Sequence, residues 1–457
     1  GIILFPTSEV LILATIVPNV SQVDNSSNFL NNIPHRKHPG ILHLKCVKLP
    51  PELVQAVSFW VALLFFLPES PICDMEKKSE SFSNYLWSRK RPIDLKDLRK
   101  KAQLLEQKLR KDAEQKVLTA VRQTTFHWEE LKYTKELSFL YMVSRMDANY
   151  AAVSRAFHEI QKRVPDFQPK TLLDFGSGTG AVSWAAHSIW GESLKEYMNI
   201  DCSVHMLSLA EKLMRGEMGR KMRRVFYFPR LMLSFSSKKM TFDLSVSAFS
   251  LNDLPTYAQR IAKVKNLWKK TNNFLVLVEN GTKEGHQMLM EARDVILKVS
   301  HISPVNEAYV FAPCPHHLPC PRMLRDKPLP CNFLQQYEPL PLSWNPPHKT
   351  ERFSFLILSR GSRESMEPWP RITQPVLCRK RHIHVHLCCA DGTLQHAVVT
   401  SKKHSRDLYR CVWNSNCGDR LPILTPNIES ILEDKSTLED QKNDSQKVNT
   451  APCQDQN

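Results

Sequence analysis

The chain has 457 residues, 42% hydrophobic and 24% charged, which fits a folded protein of two or three domains with a sizeable core. Its 62 lysines and arginines against 46 acids leave a formal charge of +16, which favours a polyanionic partner such as nucleic acid. Twelve cysteines in a chain this long, with thirty prolines against thirteen glycines, exclude a small disulfide scaffold and the collagen, porin and repeat classes.

Residues 1–85 alternate apolar patches with Pro, Asn and Ser and have no assignable fold. No Arg-rich transit peptide is legible in residues 1–35, whose only charges are Glu9 and Asp24. The apolar run Leu53 to Leu67 is 15 residues long. A bilayer span needs about 20, so this is expected to be a buried or interfacial segment, without membrane insertion. A helical region is expected over 86–165. Leu95, Leu98, Ala102, Leu105, Leu109, Ala113, Val117 and Ala120 recur at helical steps, with a basic outer face. A helical pair should follow, from Thr134 as N-cap to Val164, stopped by Pro165.

An α/β pattern then occupies residues 166–300. Thr171 to Phe175 reads as a short strand, followed by the glycine turn Gly176-Ser177-Gly178-Thr179-Gly180 and a helix-like run. Glycines let the backbone turn tightly and let a ligand approach the main chain. Asp174, ending that strand, would repel a dinucleotide pyrophosphate but suits the cationic amino-acid part of S-adenosylmethionine. Asp201 ends the next strand (EYMNID), where a carboxylate can accept both ribose hydroxyls. Strands at 242–249 and 274–279 complete the pattern. It resembles the class I S-adenosylmethionine-dependent methyltransferase fold, Rossmann-like, with Asp174, Gly176, Gly178, Gly180 and Asp201 as cofactor-binding residues. NAD binding is the weaker alternative. No Asn-Pro-Pro-Tyr run follows the fourth strand, and Ser250-Leu251-Asn252-Asp253 stands there instead, so no catalytic residue is assigned.

Residues 301–420 are dense in Cys, His and Pro and are expected to form a metal-binding module. Cys314, Cys320 and Cys331, with Cys388 farther on, make four soft donors that suit zinc or an iron–sulfur cluster. His382, His384 and His386 alternate and, on a strand, share one face with Cys388. Residues 89–122 and 349–410 each hold twelve Lys/Arg against five acids, as expected of an RNA-contacting surface. Residues 421–457 have seven acids, three lysines and no aromatic residue, which predicts a disordered tail.

The motifs LLDFGSGTGAVSWAAHSIWG, FAPCPHHLPCP, Trp369 to Pro375, HLCC and Tyr409-Arg410-Cys411 together resemble the mitochondrial methyltransferase-like assembly factors of the small ribosomal subunit. The likeness covers roughly residues 20–50 and 83–420. The interval from Cys320 to Cys331 is longer than in that pattern, and the run at 53–67 falls outside it. The resemblance implies a mitochondrial matrix protein that acts on the small ribosomal subunit and its rRNA in support of mitochondrial translation. It also implies a [4Fe-4S] cluster on Cys314, Cys320, Cys331 and Cys388. An active S-adenosylmethionine-dependent rRNA methyltransferase is the alternative.

Overall fold

The computed structural model describes residues 17–18, 33–65, 74–89, 131–215, 225–229, 240–302, 307–325, 327–362 and 368–424. The amphipathic helix expected at 95–120, most of the basic segment 89–122 and the tail beyond residue 424 lie outside these. The chain divides into two compact units. One is Leu42–Met366, and the other combines Gly1–Ile41 with Glu367–Asn457.

Strand β1 (Val17–Pro18) belongs to the smaller unit, and the larger begins with β2 (Cys46–Val47) and helix α1 (Pro51–Phe65). Helix α1 contains most of the apolar run. It buries Leu53 and Val57 but exposes Phe59 and Leu63, so it is interfacial in character. No helix among the described residues is long and apolar enough to cross a membrane. Helices α2 (Met75–Ser88) and α3 (Lys135–Arg163) follow. In place of the expected helical pair, α3 is a single 29-residue helix. Thr134 caps it by accepting the Leu137 N–H, Glu136 stands in its first turn, and Lys162 and Arg163 stand in its last. These charges favour the helix dipole at both ends, and no proline or glycine interrupts the run.

The sheet of the larger unit is built from β3 (Thr171–Phe175), β4 (Glu196–Asp201), β5 (Val225–Pro229), β6 (Phe242–Ala248) and β7 (Thr271–Asn280). Helices α4 (Ala181–Trp190), α5 (Val204–Arg215), α6 (Tyr257–Lys269) and α7 (Lys283–Ile302) alternate with them or follow. These five strands are parallel, in the order β5-β4-β3-β6-β7. Most of β3 and β6 is buried, as parallel strands covered on both faces require. Chain order reverses between β3 and β6, which opens a crevice beyond their carboxyl ends.

The sheet continues past residue 300 through β8 (Ala308–Ala312), β9 (Phe333–Tyr337) and β10 (Lys349–Arg360). β10 runs antiparallel to β7, β8 and β9, and β2 closes the edge beside β9. The stretch with Cys314, Cys320 and Cys331 therefore lies between strands of this sheet. Arg163, ending α3, anchors its start by donating to the Phe311 carbonyl at 2.6 Å, with its guanidinium 3.8 Å from the Phe311 ring centre.

In the smaller unit β13 (His382–Cys388) and β14 (Leu394–Thr400) form an antiparallel hairpin, flanked by β11 (Arg371–Ile372) and β12 (Leu377–Cys378). Ile383, Val385, Leu387, Ala397 and Val399 pack on Leu408 and Val412 of helix α8 (Arg406–Trp413). β15 (Ile423–Leu424) pairs with β1.

Candidate functional site

The crevice of the larger unit is lined by Tyr133, Tyr141, Phe175, Met206, Phe249 and Asp253, with Gly176, Gly178 and Asp201 on its floor. The turn after β3 requires glycine. Gly176, Gly178 and Gly180 all have positive φ, at 72°, 50° and 89°. A Cβ on Gly176 would meet the Ser250 Cβ at 2.3 Å, so the β3 and β6 exits pack too closely for any side chain there. Ser250 fastens the two exits by donating to the Phe175 carbonyl at 3.0 Å.

Asp174 is fully buried, and neither carboxylate oxygen has a hydrogen-bond partner. Burial, and then the charge of Asp201, raise its pKa well above the usual carboxylate range. Asp201 is buried too but satisfied, accepting the Gly178 N–H through Oδ2 and the Ser203 N–H through Oδ1, both at 2.8 Å. Burial raises its pKa, and those two hydrogen bonds oppose the rise. Glu279, at the end of β7, accepts the Leu251 N–H at 2.9 Å, and burial pushes its pKa up to about 8. Two carboxylates, Asp201 and Asp253, line the cleft, with Asp174 and Glu279 buried at neighbouring strand ends. An orphaned buried acid beside a glycine cradle fits a cationic amino-acid nucleoside such as S-adenosylmethionine, whose ammonium would partner Asp174. Such a cofactor supplies a transferable methyl group.

The polar exit of β6 does not present an unengaged base. Asp253 is paired with Arg89 at 2.5 Å. Phe249 is the one non-glycine residue with positive φ among those described, at 56°, and its ring lies 5.6 Å from the Arg145 guanidinium. Arg145 is itself held by Glu351 at 2.7 Å and by Asn149 at 3.2 Å. Asn149 donates to the Tyr141 hydroxyl at 2.9 Å, fixing that ring over the glycine turn. Burial pushes the Tyr141 pKa up to about 12, so it stays a neutral phenol.

The four expected metal ligands lie outside any disulfide. Cys314 and Cys320 are buried in the larger unit, and Cys331 is half-buried there. The buried Arg293 guanidinium lies 4.0 Å from the Cys314 sulfur, and His286 Nε2 lies 3.5 Å from the Cys320 sulfur. Burial and the nearby arginines push the His286 pKa down to about 4, so it is neutral beside the thiol. A buried cation next to two thiols fits a donor set that must become anionic to bind metal.

In the smaller unit Cys388 ends β13, whereas Cys389 is wholly buried in the apolar core under α8. The half-buried His382, His384 and His386 form one row, extended across the hairpin by His396. His384 and His396 are hydrogen-bonded at 3.0 Å, and the His386 and His396 rings stack at 4.5 Å. Lys402, Lys403, Arg406 and Arg410 are exposed around α8, where Tyr409 and the exposed Trp413 lie 6.0 Å apart.

A family model described as "Mitochondrial small ribosomal subunit Rsm22" matches residues 135–422, which include most of the cleft lining and all four cysteines. This chain belongs to the Rsm22 family. It is 52% identical over 427 residues, 91% of each chain, to the human "Ribosome assembly protein METTL17, mitochondrial". It is also 24% identical to the fission-yeast "Rsm22-cox11 tandem protein 2, mitochondrial", over 41% of this chain and 30% of that one. Among solved structures, the magnesium protoporphyrin IX methyltransferase of Synechocystis PCC 6803 with bound SAM aligns at 12% identity and a TM-score of 0.30. It covers 51% of this chain and 100% of that one. The ribosomal protein L11 methylase of Lactobacillus delbrueckii aligns at 15% identity and 0.27, covering 45% and 77%. The methyltransferase-like architecture of this Rsm22-family chain therefore rests on its own strand order, with antiparallel β10 beside β7. The mitochondrial setting expected from the resemblance agrees with the names of the family and both relatives.

Of the residues that the sequence offers for the cofactor, Gly176, Gly178 and Asp201 line the cleft. Asp174 is buried as the penultimate residue of β3, one before Phe175 and the turn, and Gly180 leads into α4. Sequence reasoning missed Tyr133 and Tyr141, which precede the α/β region, and Phe249 at the β6 exit as lining of the cleft. It also missed Glu279 as a buried acid, although its place at a strand exit was a usable signal.

Proposed function

We propose that this Rsm22-family protein is a ribosome assembly factor of the mitochondrial matrix that acts on the small subunit and its rRNA in support of translation. The observation that carries the proposal is the 52% identity, along 91% of both chains, to a protein named for ribosome assembly. The methyltransferase-like fold is read as a platform with a working S-adenosylmethionine cleft. Asp174 would hold the cofactor's ammonium, Asp201 its ribose, and Gly176, Gly178 and Gly180 would let its nucleoside approach the backbone. The orphaned Asp174 carboxyl supports cofactor binding. The pairing of Asp253 with Arg89 supports a platform over a catalyst, because it occupies the one carboxylate at the β6 exit lining the cleft.

Cys314, Cys320, Cys331 and Cys388 are read as the ligands of a [4Fe-4S] cluster. Each thiolate of such a cluster binds a different iron, and four soft donors from separate stretches of the chain supply one each. The alternative is an active rRNA methyltransferase, and one experiment separates the two. Cells lacking the protein should fail to accumulate mature mitochondrial small subunits, and both wild type and an Asp174→Asn variant should restore them if the cleft is only a platform. Transfer of labelled methyl from S-adenosylmethionine onto immature subunits, lost in Asp174→Asn together with rescue, would replace the platform reading with catalysis.

A further inference from the structure

One corner of the larger sheet brings together three groups that the cleft and the four-cysteine set do not use. β2 lies parallel to β9, with Cys46 opposite Gln336 and Val47 opposite Tyr337. The chain leaves β9 at Glu338, whose N–H donates to the Val47 carbonyl at 2.9 Å. β10 enters at Lys349, paired with Tyr337, so His348 arrives at the same corner. The ligand atoms of Cys46, Glu338 and His348 all lie within 4.8 Å of one another, and the Cys46 sulfur is 3.7 Å from His348 Nδ1. Among the described residues no other three His, Cys, Asp or Glu side chains converge so closely.

We propose that Cys46, Glu338 and His348 form a mononuclear site for a zinc-class divalent cation, with water as the fourth donor. Sulfur, imidazole and carboxylate together select a borderline cation over magnesium or calcium, which ask for oxygen throughout. On binding, the Cys46 thiol gives its proton to solvent. Thiolate and carboxylate then balance the two positive charges, so the occupied site is neutral. Lys48 holds Glu338 Oε1 at 2.8 Å and leaves the second oxygen for the ion. The Lys48 side chain is 72% exposed, and releasing such a surface pair costs little. The ion would join the ends of β2, β9 and β10, fastening an edge strand only two residues long.

The test is titration of the full chain, as purified anaerobically, with cobalt(II) and then zinc. One equivalent of cobalt should give the charge-transfer absorption of a cobalt–thiolate bond, and zinc should abolish it. Cys46→Ser should lose that band, and His348→Gln should weaken cobalt binding by more than about ten-fold, since losing even an outer-shell partner costs roughly 10- to 100-fold. Amide exchange at residues 42–50 should slow on zinc addition in the wild type only, which separates lost binding from lost folding. A thiolate band that persists in Cys46→Ser overturns the site. A band absent from the folded wild type, or one lost in Cys331→Ser while Cys46→Ser retains it, does the same.

Discussion

Asp201 Oδ2 accepts the backbone N–H of Gly178 at 2.8 Å, so the acid expected at the ribose also sets the shape of the glycine turn. Asp201→Asn puts an amide where a carboxylate accepted two N–H groups, and one of those bonds must be lost. The expected cost is roughly 1–3 kcal/mol. S-adenosylmethionine affinity measured by calorimetry should fall about ten-fold or more, and amide exchange at 176–180 should quicken. Unchanged values for both would remove Asp201 from the site.

Asp174 should show a trade between stability and binding. Replacing a buried orphan acid with an apolar residue of similar size removes a desolvation penalty. Asp174→Leu should therefore stabilise the ligand-free protein by about 1–3 kcal/mol while abolishing cofactor binding. Equal denaturation midpoints in wild type and variant would argue that the carboxyl is solvated after all.

Glu279 predicts a pH dependence with a definite sign. Its carboxyl holds a proton up to about 8 in the folded chain, against an ordinary value of 4.5. Folded protein thus retains a proton that unfolded protein releases, so this contribution is complete below about 4.5. It is lost as pH rises through about 8, at up to about 1.4 kcal/mol per pH unit. Glu279→Gln keeps an acceptor for the Leu251 N–H and removes the proton. Melts between pH 5 and 9 should give a flatter profile for the variant, and parallel profiles would refute the assignment.

Anaerobically purified protein should be brown and bleach on reduction. Cys388→Ser should lose the colour and iron, whereas Cys389→Ser should keep both, because Cys389 faces the apolar core. Full iron content in Cys388→Ser would move the fourth ligand elsewhere.

Neutralising Lys402, Lys403, Arg406 and Arg410 together should weaken binding to small-subunit ribosomal RNA and flatten its salt dependence. Each phosphate that the variant no longer neutralises should lower the slope by roughly 0.7 to 0.9. An unchanged slope in filter binding would place the RNA surface away from α8.

How much of the fold and site is legible in the chain depends on the range of the interactions. The glycine turn and its two acids lie within 28 residues, and local spacing announces them. Helix α3 is legible at both ends through Thr134 and Pro165. Its continuity is not, because nearly unbroken burial leaves no single apolar stripe to follow. In sequence β8 to β10 read as part of a separate module, because an antiparallel return to a parallel sheet leaves no local mark. Cys46 and His348 are 302 positions apart, and only the pairing of β2, β9 and β10 brings them together.

Helix α3 touches two places that otherwise have nothing in common. Tyr141 lies against the glycine turn, and Met146, little more than one turn on, accepts the Thr179 hydroxyl at 3.2 Å. Twenty-two residues beyond Tyr141, about 33 Å along the axis, Arg163 grips the carbonyl of Phe311 at the entrance to the cysteine loop. A rigid rod cannot slide at one end alone. With no proline or glycine between them, a displacement of α3 along its axis would shift Tyr141 at the turn and Arg163 at Phe311 together. Thermodynamic reciprocity makes any such coupling equal in both directions, so iron loading would tune cofactor affinity by the same factor that cofactor tunes iron retention.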